Sequence, residues 1–434
     1  MTIANRLLPV MSYLFLALML VGGVVRIAEL IRTSEKIRRH VRSLRAVDYR
    51  RFQDSEHIMP VSLILPAAEA DDDLTQCIQN LLSLEFKQFE LIVVVNSEKK
   101  KSWDSLTKSY HLLPFQQPYK KTLISSEVLG VYRSADDVRL IVLDQKATSR
   151  ADALNAGVNV SSYPIIAVSY PELRLTKDAL LKAIYAFASD PNCVFIGSLP
   201  RVGNASEHVN TLSALGELQG IEHLRMLYTH CSGYETLGLY LPLQTTFVAF
   251  LKSAVQDAGG FSGETTGEIG DLLLRIHGRL LKEKRAYDAR LMPEAVCYQI
   301  PQKNMREVCS QSRRNQAAMR SVFSHNRAQA RSMRGLSYTR LAQTGWPRVE
   351  WIGILVVALS ALAGTISPLL LASYLTLSVL LGSVQSLASV LLEESAFQRQ
   401  TDTGVLLKRY FLSMWENCYY RPRVTLAKLF SHGK

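Results

Sequence analysis

The chain has 434 residues, 48% of them apolar, and a formal net charge of +12. That length suits one domain of roughly 250 residues together with membrane segments. Residues 52–302 carry 23 Lys/Arg against 29 Asp/Glu, so the positive excess lies entirely in the flanking segments. This distribution argues against nucleic acid as a partner, because a nucleic-acid-binding domain concentrates basic residues on itself.

Uncharged apolar segments near both ends predict membrane spans. Residues 8–25 form an uncharged run of 18 residues without a small-residue cleavage site, which predicts a retained anchor. Residues 351–392 are uncharged for 42 residues and break near 364–368. That length is enough for two spans joined by a tight turn, and a single re-entrant hairpin is the alternative.

Basic residues flank each apolar segment. Residues 26–51 carry nine Lys/Arg against three acids, residues 303–350 ten against two, and residues 393–434 seven against four. Basic flanks face the cytosol and its anionic lipid, so the N-terminus is expected outside and residues 26–350 and the tail inside. The six cysteines lack metal-ligand spacing and are expected to be reduced in the cytosol.

Between the anchors, short apolar runs alternate with segments of helical spacing. The first unit pairs strands at 61–65 and 91–95 around a helix at 74–86. Further strands are predicted at 138–143, 165–168 and 193–196, and further helices at about 151–158, 176–188 and 208–228. This alternation predicts an α/β domain with a largely parallel sheet that binds ligands at the carboxyl ends of its strands.

Six motifs occur in a fixed order along the domain and its flanks. They are VSLILPA at 61–67 with FELIVVV at 89–95, SRADALNAG at 149–157, AGGF at 258–261 with GEIGDLLLR at 267–275, PEAVCY at 293–298, QSRR at 311–314 and YYRPR at 419–423. In this order and with this membrane layout, the chain resembles the membrane-bound family 2 glycosyltransferases of bacterial polysaccharide and cellulose synthase type. The resemblance implies a GT-A-like domain, transmembrane helices and an inner-membrane, multi-pass protein whose main domain is cytosolic.

The expected domain limits follow from the charge pattern and the resemblance. They are a transmembrane anchor at 1–31, a basic linker at 32–58, a GT-A-like domain at 59–302, basic interfacial helices at 303–350, a transmembrane hairpin at 351–392 and a basic cytosolic tail at 393–434.

The resemblance fails where the family carries its catalytic groups. Transfer from a nucleotide sugar usually needs a divalent cation on the diphosphate and a carboxylate that takes the acceptor's proton. In the family an aspartate after the second strand reads the base, a DxD binds metal, an ED pair supplies the catalytic base and a QxxRW motif follows. This chain has Val95-Asn96, Tyr170-Pro171-Glu172, Glu268-Ile269 and Asn315 at those places.

The resemblance assigns candidate roles to the residues that remain. Glu268 would be the catalytic base in an active enzyme, and Glu172 would be the only metal ligand. The nucleotide side would use Pro66, Asn96, Arg150 and Glu172, and the acceptor or diphosphate side Gln311 and Arg314. No cofactor is expected unless the protein is active, in which case Mg²⁺ or Mn²⁺ would accompany a nucleotide sugar. The competing interpretation treats Glu172 and Glu268 as surface carboxylates of a vestigial cleft.

Three functional hypotheses remain open. The first is a catalytically inactive subunit or scaffold of exopolysaccharide or glycolipid assembly, at the membrane beside an active glycosyltransferase. The second is an active transferase that uses Glu268 as its base, with or without a metal ion. The third is a polysaccharide- or lipid-binding membrane module. The acidic run at 71–73 is interpreted as helix capping rather than as a metal site.

Overall fold

The structure is a computed structural model that describes residues 3–45, 47–55, 58–67, 74–98, 100–116, 118–203, 212–231, 246–332, 345–397 and 403–429. The acidic run at 71–73 lies outside these residues. Strands and helices alternate through the central domain, and long helices flank it. The predicted α/β class is therefore confirmed.

A mixed sheet forms the centre of the domain. Its strands and those of a small second sheet are β1 (Val61–Pro66), β2 (Phe89–Val95), β3 (Leu112–Pro114), β4 (Val128–Ser134), β5 (Leu140–Gln145), β6 (Ile165–Val168), β7 (Leu173–Leu175), β8 (Cys193–Ser198), β9 (Arg201–Val202), β10 (Phe247–Leu251), β11 (Asp288–Met292) and β12 (Cys297–Gln299). Within the described residues, nine strands pair in the order β11-β8-β10-β6-β1-β2-β5-β4-β3, and β7, β12 and β9 form the second sheet.

Seven of the nine strands run in the same direction, as expected for a largely parallel sheet, and two strands are reversed. Strands β6, β1, β2 and β5 run parallel, and so do β8 and β11. Strand β10 lies antiparallel between β6 and β8, and β4 is antiparallel to both β3 and β5. Every residue of β1 and β2 is buried, because apolar clusters cover both faces of the sheet.

The helices are the following: α1 (Ile3–Arg45), α2 (Tyr49–Gln53), α3 (Leu74–Leu82), α4 (Lys100–Tyr110), α5 (Arg150–Val160), α6 (Ala179–Ala188), α7 (Ala214–Arg225), α8 (Lys252–Asp257), α9 (Glu268–Lys282), α10 (Met305–His325), α11 (Arg327–Ser332), α12 (Trp346–Leu362), α13 (Pro368–Phe397), α14 (Thr403–Trp415) and α15 (Arg421–Leu429). Two π-helical turns extend this set, Met226–Cys231 after α7 and Glu416–Tyr420 between α14 and α15.

The apolar flanking segments form helices that pack on one another. Two of the described helical segments, Leu7–Leu44 and Pro368–Phe397, are long and apolar enough to cross a membrane. The shorter α12 contacts α1, where Ser12 donates a 2.9 Å hydrogen bond to Ser360. The predicted break between α12 and α13 is observed, and Gly364 adopts a positive φ of 63° there.

Helix α1 departs from the predicted domain limits. It continues without interruption to Arg45, so the limit predicted at residue 31 falls inside a helix and the start of the expected linker is helical. At 1.5 Å per residue, 43 residues extend about 65 Å, roughly twice the thickness of the hydrocarbon core. Its C-terminal half therefore reaches the sheet domain, where His40 Nε2 lies 2.8 Å from Glu294 Oε1.

A buried ion pair connects the sheet domain to α13. The Arg201 guanidinium donates hydrogen bonds of 3.0 and 2.9 Å to the two oxygens of Glu393, and the Tyr228 hydroxyl donates to the same carboxylate. Arg201 is 4% exposed and Glu393 5%. Removing either charge would leave its partner buried and unpaired, so this pair fixes how the domain sits on α13.

Candidate functional site

A cavity of about 390 Å³ lies beyond the carboxyl end of β6, where helices α7, α9, α10 and α15 meet. It extends to Arg26 of α1, Glu350 of α12 and Gln385 of α13. A ligand in it would therefore contact both the sheet domain and the flanking helices. Four of the predicted site residues line this cavity, namely Arg150, Glu172, Glu268 and Gln311.

Tyr170 and Glu268 bond to each other at the bottom of the cavity. Tyr170 follows β6 and Glu268 is the first residue of α9, and the Tyr170 hydroxyl donates a 2.8 Å hydrogen bond to Glu268 Oε1. Both side chains are buried. Burial and the adjacent carboxylate raise the pKa of Tyr170 well above its usual value, so the phenol remains the proton donor of this bond.

Arg150 covers the outer side of this pair. Its guanidinium lies 5.5 Å from the centre of the Tyr170 ring, in cation–π geometry, and 3.9 Å from a Glu172 carboxylate oxygen. Glu172 is half exposed. At the first position of the family's metal motif this chain therefore has Tyr170, whose ring packs under Arg150. At the third position it has Glu172, which pairs with the same arginine.

Ile269 stands where the family has its catalytic base, but it is buried among apolar side chains. It occupies the second position of the ED pair, is 5% exposed and belongs to an apolar cluster that includes Met319 and Val322 of α10. Helix α9 therefore places Glu268 in the cavity lining, while Ile269 packs against α10. Glu268 is correspondingly buried and hydrogen-bonded, so the expectation of a surface carboxylate was wrong for this residue.

The other predicted nucleotide residues lie elsewhere. Pro66 ends β1 and is buried, and Asn96 follows β2, where its side-chain oxygen accepts a 3.0 Å bond from the Glu98 amide. Neither residue lines the cavity. Their assignment to nucleotide binding therefore remains a prediction from the resemblance.

Gln311 and Arg314 lie on α10 and bond to each other. Arg314 Nη2 donates a 2.6 Å hydrogen bond to Gln311 Oε1, and Gln311 Nε2 donates a 2.8 Å bond to Asn315. Gln311 and Asn315 line the cavity, whereas the exposed Arg314 does not. Of the two residues predicted for the acceptor side, the structure brings only Gln311 to the cavity.

The sequence motifs that the chain retains hold the backbone around the cavity. Asn155 Nδ2 donates a 2.9 Å bond to the Phe261 carbonyl, and Asn155 Oδ1 accepts a 2.8 Å bond from the Phe261 amide. Gly260 has a φ of +77°, and a Cβ there would meet Asn155 Oδ1 at 2.5 Å. Arg275 Nη2 donates a 2.6 Å bond to the Gly260 carbonyl, and its Nε donates a 2.8 Å bond to Asp271.

Glu222 of α7 lines the cavity and is bonded by two residues from the C-terminal end of the chain. Glu222 accepts a 2.6 Å bond from the Tyr420 hydroxyl and a 3.0 Å bond from Lys428. Burial favours the neutral carboxyl, but Lys428 and Tyr420 outweigh it and lower the pKa of Glu222 to about 2. The YYRPR motif carried the signal, because Tyr420 is its second residue, but only the fold shows that α15 closes the cavity.

The carboxylates of the cavity do not suit a divalent cation. Among the described residues, no three His, Cys, Asp or Glu side chains lie close enough together to hold a metal ion. Mg²⁺ requires several oxygen ligands in near-octahedral geometry. Glu268 Oε1 is bonded to Tyr170, and Glu172 lies 3.9 Å from Arg150, so a cation would have to compete with these partners for both carboxylates.

The rest of the lining is rich in neutral hydrogen-bonding groups. Carboxamides and hydroxyls converge from four α-helices, a π-helical turn, the end of β12 and two loop positions: Gln219, Thr246, Gln299, Gln302, Gln311, Ser312, Asn315, Gln316, Gln385, Tyr420 and Thr425. Each carboxamide can donate and accept hydrogen bonds at once. Such a lining can bind a polyhydroxylated ligand without requiring that it be charged.

Comparison with known proteins found curated relatives that are polysaccharide synthases. The chain is 20% identical over 318 residues to the poly-beta-1,6-N-acetyl-D-glucosamine synthase of Staphylococcus epidermidis, covering 72% of this chain and 67% of that protein. It is 21% identical over 241 residues to the synthase of the same name from a Staphylococcus aureus strain, covering 55% of this chain and 50% of that protein. The chain thus spans about half to two thirds of these relatives. No family model matches it.

Solved structures give distant likenesses. A mannosyltransferase from Pyrobaculum calidifontis, solved with GDP-Man and Mn²⁺, superposes with a TM-score of 0.48 at 11% identity, covering 94% of this chain and 99% of that one. Residues 1–349 of Staphylococcus aureus TarS superpose with a TM-score of 0.39 at 10% identity, covering 84% of this chain and 92% of that one.

The fold, the motif order and the relatives agree with one another. The synthase relatives and the two helices long enough to cross a membrane indicate membrane association. The large, mostly parallel sheet with its flanking helices is GT-A-like. Together, the motif order, the fold and the synthase relatives support a relationship to the family 2 glycosyltransferases.

Proposed function

We propose that this chain is a catalytically inactive member of its family, acting as a subunit or scaffold of a complex that assembles exopolysaccharide or glycolipid. The observation that carries the proposal is the buried hydrogen bond from Tyr170 to Glu268. It joins the first position of the metal motif to the only carboxylate of the catalytic pair. Two side chains of the protein thus bond to each other at the positions where the family binds the metal and has its catalytic base.

Tyr170 removes a metal ligand, because it stands where the family has an aspartate. A phenol whose pKa is raised remains neutral and cannot replace an ionised aspartate as a ligand of a hard cation. Its ring also fills space at the bottom of the cavity beneath Arg150. A nucleotide sugar would have to displace both side chains before its diphosphate could approach β6.

Glu268 is a poor general base for a similar reason. A base must accept a proton from an acceptor hydroxyl that lies within hydrogen-bond reach. Its Oε1 already accepts a hydrogen bond from the Tyr170 hydroxyl, and Glu268 is 9% exposed. Binding of an acceptor would have to compete with an internal donor that is always present.

The contrast between retained and replaced motif residues supports a structural role. Asn155, Phe261, Asp271 and Arg275 match the family's motifs and hold the loop before α9 and the helix itself. The replaced residues are those that would bind the nucleobase, the metal or the acceptor, or act as the catalytic base. A protein that keeps the scaffold and lacks the chemistry fits a partner of an active enzyme.

The chain is proposed to be a multi-pass protein of the bacterial inner membrane with the sheet domain in the cytosol. The basic flanks at 26–51, 303–350 and 393–434 support this orientation. The relatives are synthases of poly-beta-1,6-N-acetyl-D-glucosamine, so a polymer of amino sugars is the proposed class of product for the complex. The proposed partner is an active glycosyltransferase, and nucleic acid is not a proposed ligand.

The alternative is an active transferase, and one observation favours it. Glu268 lines the cavity together with Gln311, so an acceptor hydroxyl could approach the carboxylate if Tyr170 rotated away. The lining also fits the third hypothesis, a saccharide-binding membrane module. These three functions differ in what Glu268 contributes and in whether a partner enzyme is needed.

Complementation of a gene deletion separates the hypotheses. Deletion should reduce polymer or glycolipid production, and the Glu268→Gln variant should restore it fully, because the amide oxygen still accepts the Tyr170 bond. An active enzyme would instead lose about 10²–10⁴-fold in rate in that variant. Glu264→Gln, at an exposed position five residues after the Gly259 turn, is the matched control. A production defect specific to Glu268→Gln would reject the inactive-subunit proposal.

A further inference from the structure

The helix α14 and the π-helical turn after it have their polar and apolar faces reversed. Apolar side chains point outward at spacings of three and four residues, and the exposed set is Leu407, Phe411, Met414, Trp415 and Tyr419. The inward-facing side chains Ser413, Glu416 and Asn417 are polar and buried. A helix on the surface of a water-soluble domain has the opposite arrangement.

The buried polar face bonds to helices α7 and α13. Glu416 forms a 2.9 Å ion pair with Arg225 of α7 and also accepts from the Ser386 hydroxyl. Asn417 Nδ2 donates a 3.2 Å bond to Ser386 Oγ on α13. These bonds fix the rotation of the helix, so the apolar face cannot turn inward without leaving buried charges unpaired.

The neighbouring part of α13 shows the same reversal. Its outward side chains Leu380, Val384 and Leu391 are exposed, while its buried face carries serines, Gln385 and Glu393. Helix α13 is one of the two described helices long and apolar enough to cross a membrane. The apolar face of α14 is therefore continuous with the outer surface of a candidate membrane span.

The chemistry at the ends of this face also suits a lipid interface. Trp415 and Tyr419 are amphipathic aromatic residues of the type enriched where a membrane meets water. The exposed Arg423 guanidinium lies 3.8 Å from the Tyr419 ring, at the C-terminal end of this face. Long basic side chains can hold their apolar stems in the lipid and place their charges among anionic headgroups.

We propose that the outer face of α14, defined by Leu407, Phe411, Met414, Trp415 and Tyr419, lies in the inner leaflet of the bilayer. The C-terminal tail is thereby a membrane-embedded amphipathic helix rather than a freely cytosolic segment. This inference is independent of whether the protein is catalytic. It predicts that lipid, not water or another protein, covers the face.

The test uses tryptophan quenching in the full chain reconstituted in lipid nanodiscs. The chain has four tryptophans, at 103, 346, 351 and 415. Trp415 alone, after the other three are changed to Phe, should lose most of its fluorescence when the lipid chains are brominated. A chain that keeps only Trp103, on α4 of the sheet domain, is the matched control and should be unaffected. A chain that keeps only Trp351, on α12, sets the scale for a residue in a span.

Two outcomes overturn the proposal. Quenching of Trp415 by aqueous iodide and not by brominated lipid would place the face in water. Shielding from both quenchers would mean that a protein covers it. A nitroxide on the exposed Cys418, with Cys231 and Cys309 changed to Ser, gives a second readout that leaves the tryptophans in place. Its collisions with oxygen should exceed those with a water-soluble nickel chelate, and the reverse ratio would contradict the proposal.

Discussion

The hydroxyl of Tyr170 donates a 2.8 Å hydrogen bond to Glu268 across 98 residues of sequence. This bond joins the end of β6 to the start of α9. It therefore serves as a structural contact at the position where the family conducts its chemistry.

Removal of the Tyr170 hydroxyl should destabilise the domain. Tyr170→Phe leaves the buried Glu268 carboxylate without its donor, which should cost about 1–3 kcal/mol of the free energy of unfolding. Thermal unfolding of the purified protein followed by an internal fluorophore would measure it. Tyr119→Phe, at an exposed tyrosine, is the matched control and should leave the melting temperature unchanged. Equal melting temperatures for Tyr170→Phe and wild type would show that the bond is not formed in solution.

The Arg201–Glu393 pair should be among the most sensitive contacts between the sheet domain and α13. Arg201→Met removes one charge and leaves Glu393 buried, which should cost about 3–5 kcal/mol. The double variant Arg201→Met/Glu393→Leu should recover much of that loss, since no unpaired charge remains. Thermal unfolding of all variants in the same detergent gives the comparison.

An exposed pair provides the control for that comparison. Lys87 Nζ lies 2.9 Å from Asp54, a distance equal to that of the shorter Arg201–Glu393 bond, but both side chains are about 70% exposed. Asp54→Asn should leave the melting temperature unchanged, because water screens such pairs. If Arg201→Met were equally harmless, the buried pair would not connect the domain to α13.

Burial of His277 should make the free energy of unfolding depend on pH in the acid range. Burial lowers the pKa of His277 to about 4, and its buried Nδ1 has no hydrogen-bond partner among the described residues. The unfolded chain binds a proton near pH 6.5, whereas the folded chain does not until about pH 4. Between these values acid favours the unfolded state, so stability should fall as the pH falls.

The His277→Gln variant isolates this contribution. Its melting temperature should change less between pH 7 and pH 4.5 than that of the wild type. His325→Gln, at an exposed position, is the control and should keep the wild-type dependence. An unaltered pH dependence in His277→Gln would contradict the assignment.

The proposed orientation can be tested by labelling single cysteines in intact cells. Cysteines at Ser43 and Ser324 should be protected from an impermeant reagent, because both positions lie within basic flanks proposed to be cytosolic. A cysteine at Ser367, in the turn between α12 and α13, should be labelled from outside. Labelling of either of the first two positions would overturn the three-span topology.

The sequence predicted those parts of the fold that local patterns determine. Strand β6 was predicted at its observed residues, and β1 and β2 within two residues of their observed limits, because each is a short apolar run bounded by polar residues. Strand β10 was missed, since a five-residue apolar run such as Phe247–Leu251 fits a buried helix or a buried strand equally well.

The candidate site was harder to predict because it depends on contacts between distant residues. The motif positions predicted Glu172 and Glu268 as site residues. The hydrogen bond that Glu268 accepts, however, comes from Tyr170, which is 98 positions away in the sequence. Likewise, the apolar spacing of Phe411 and Trp415 predicts an amphipathic helix without stating which face is buried. Only the packing of Glu416 against Arg225 decides that the polar face is inside.

The most direct test of catalytic inactivity is sugar transfer by the purified full chain in nanodiscs. Labelled uridine and guanosine diphosphosugars would be supplied with Mg²⁺ or Mn²⁺ and a membrane extract as acceptor. An inactive subunit should give no labelled polymer or glycolipid, either as the wild type or as Glu268→Gln. Transfer by the wild type that is lost in Glu268→Gln would contradict the proposed inactivity and assign the chain as an enzyme whose base is Glu268.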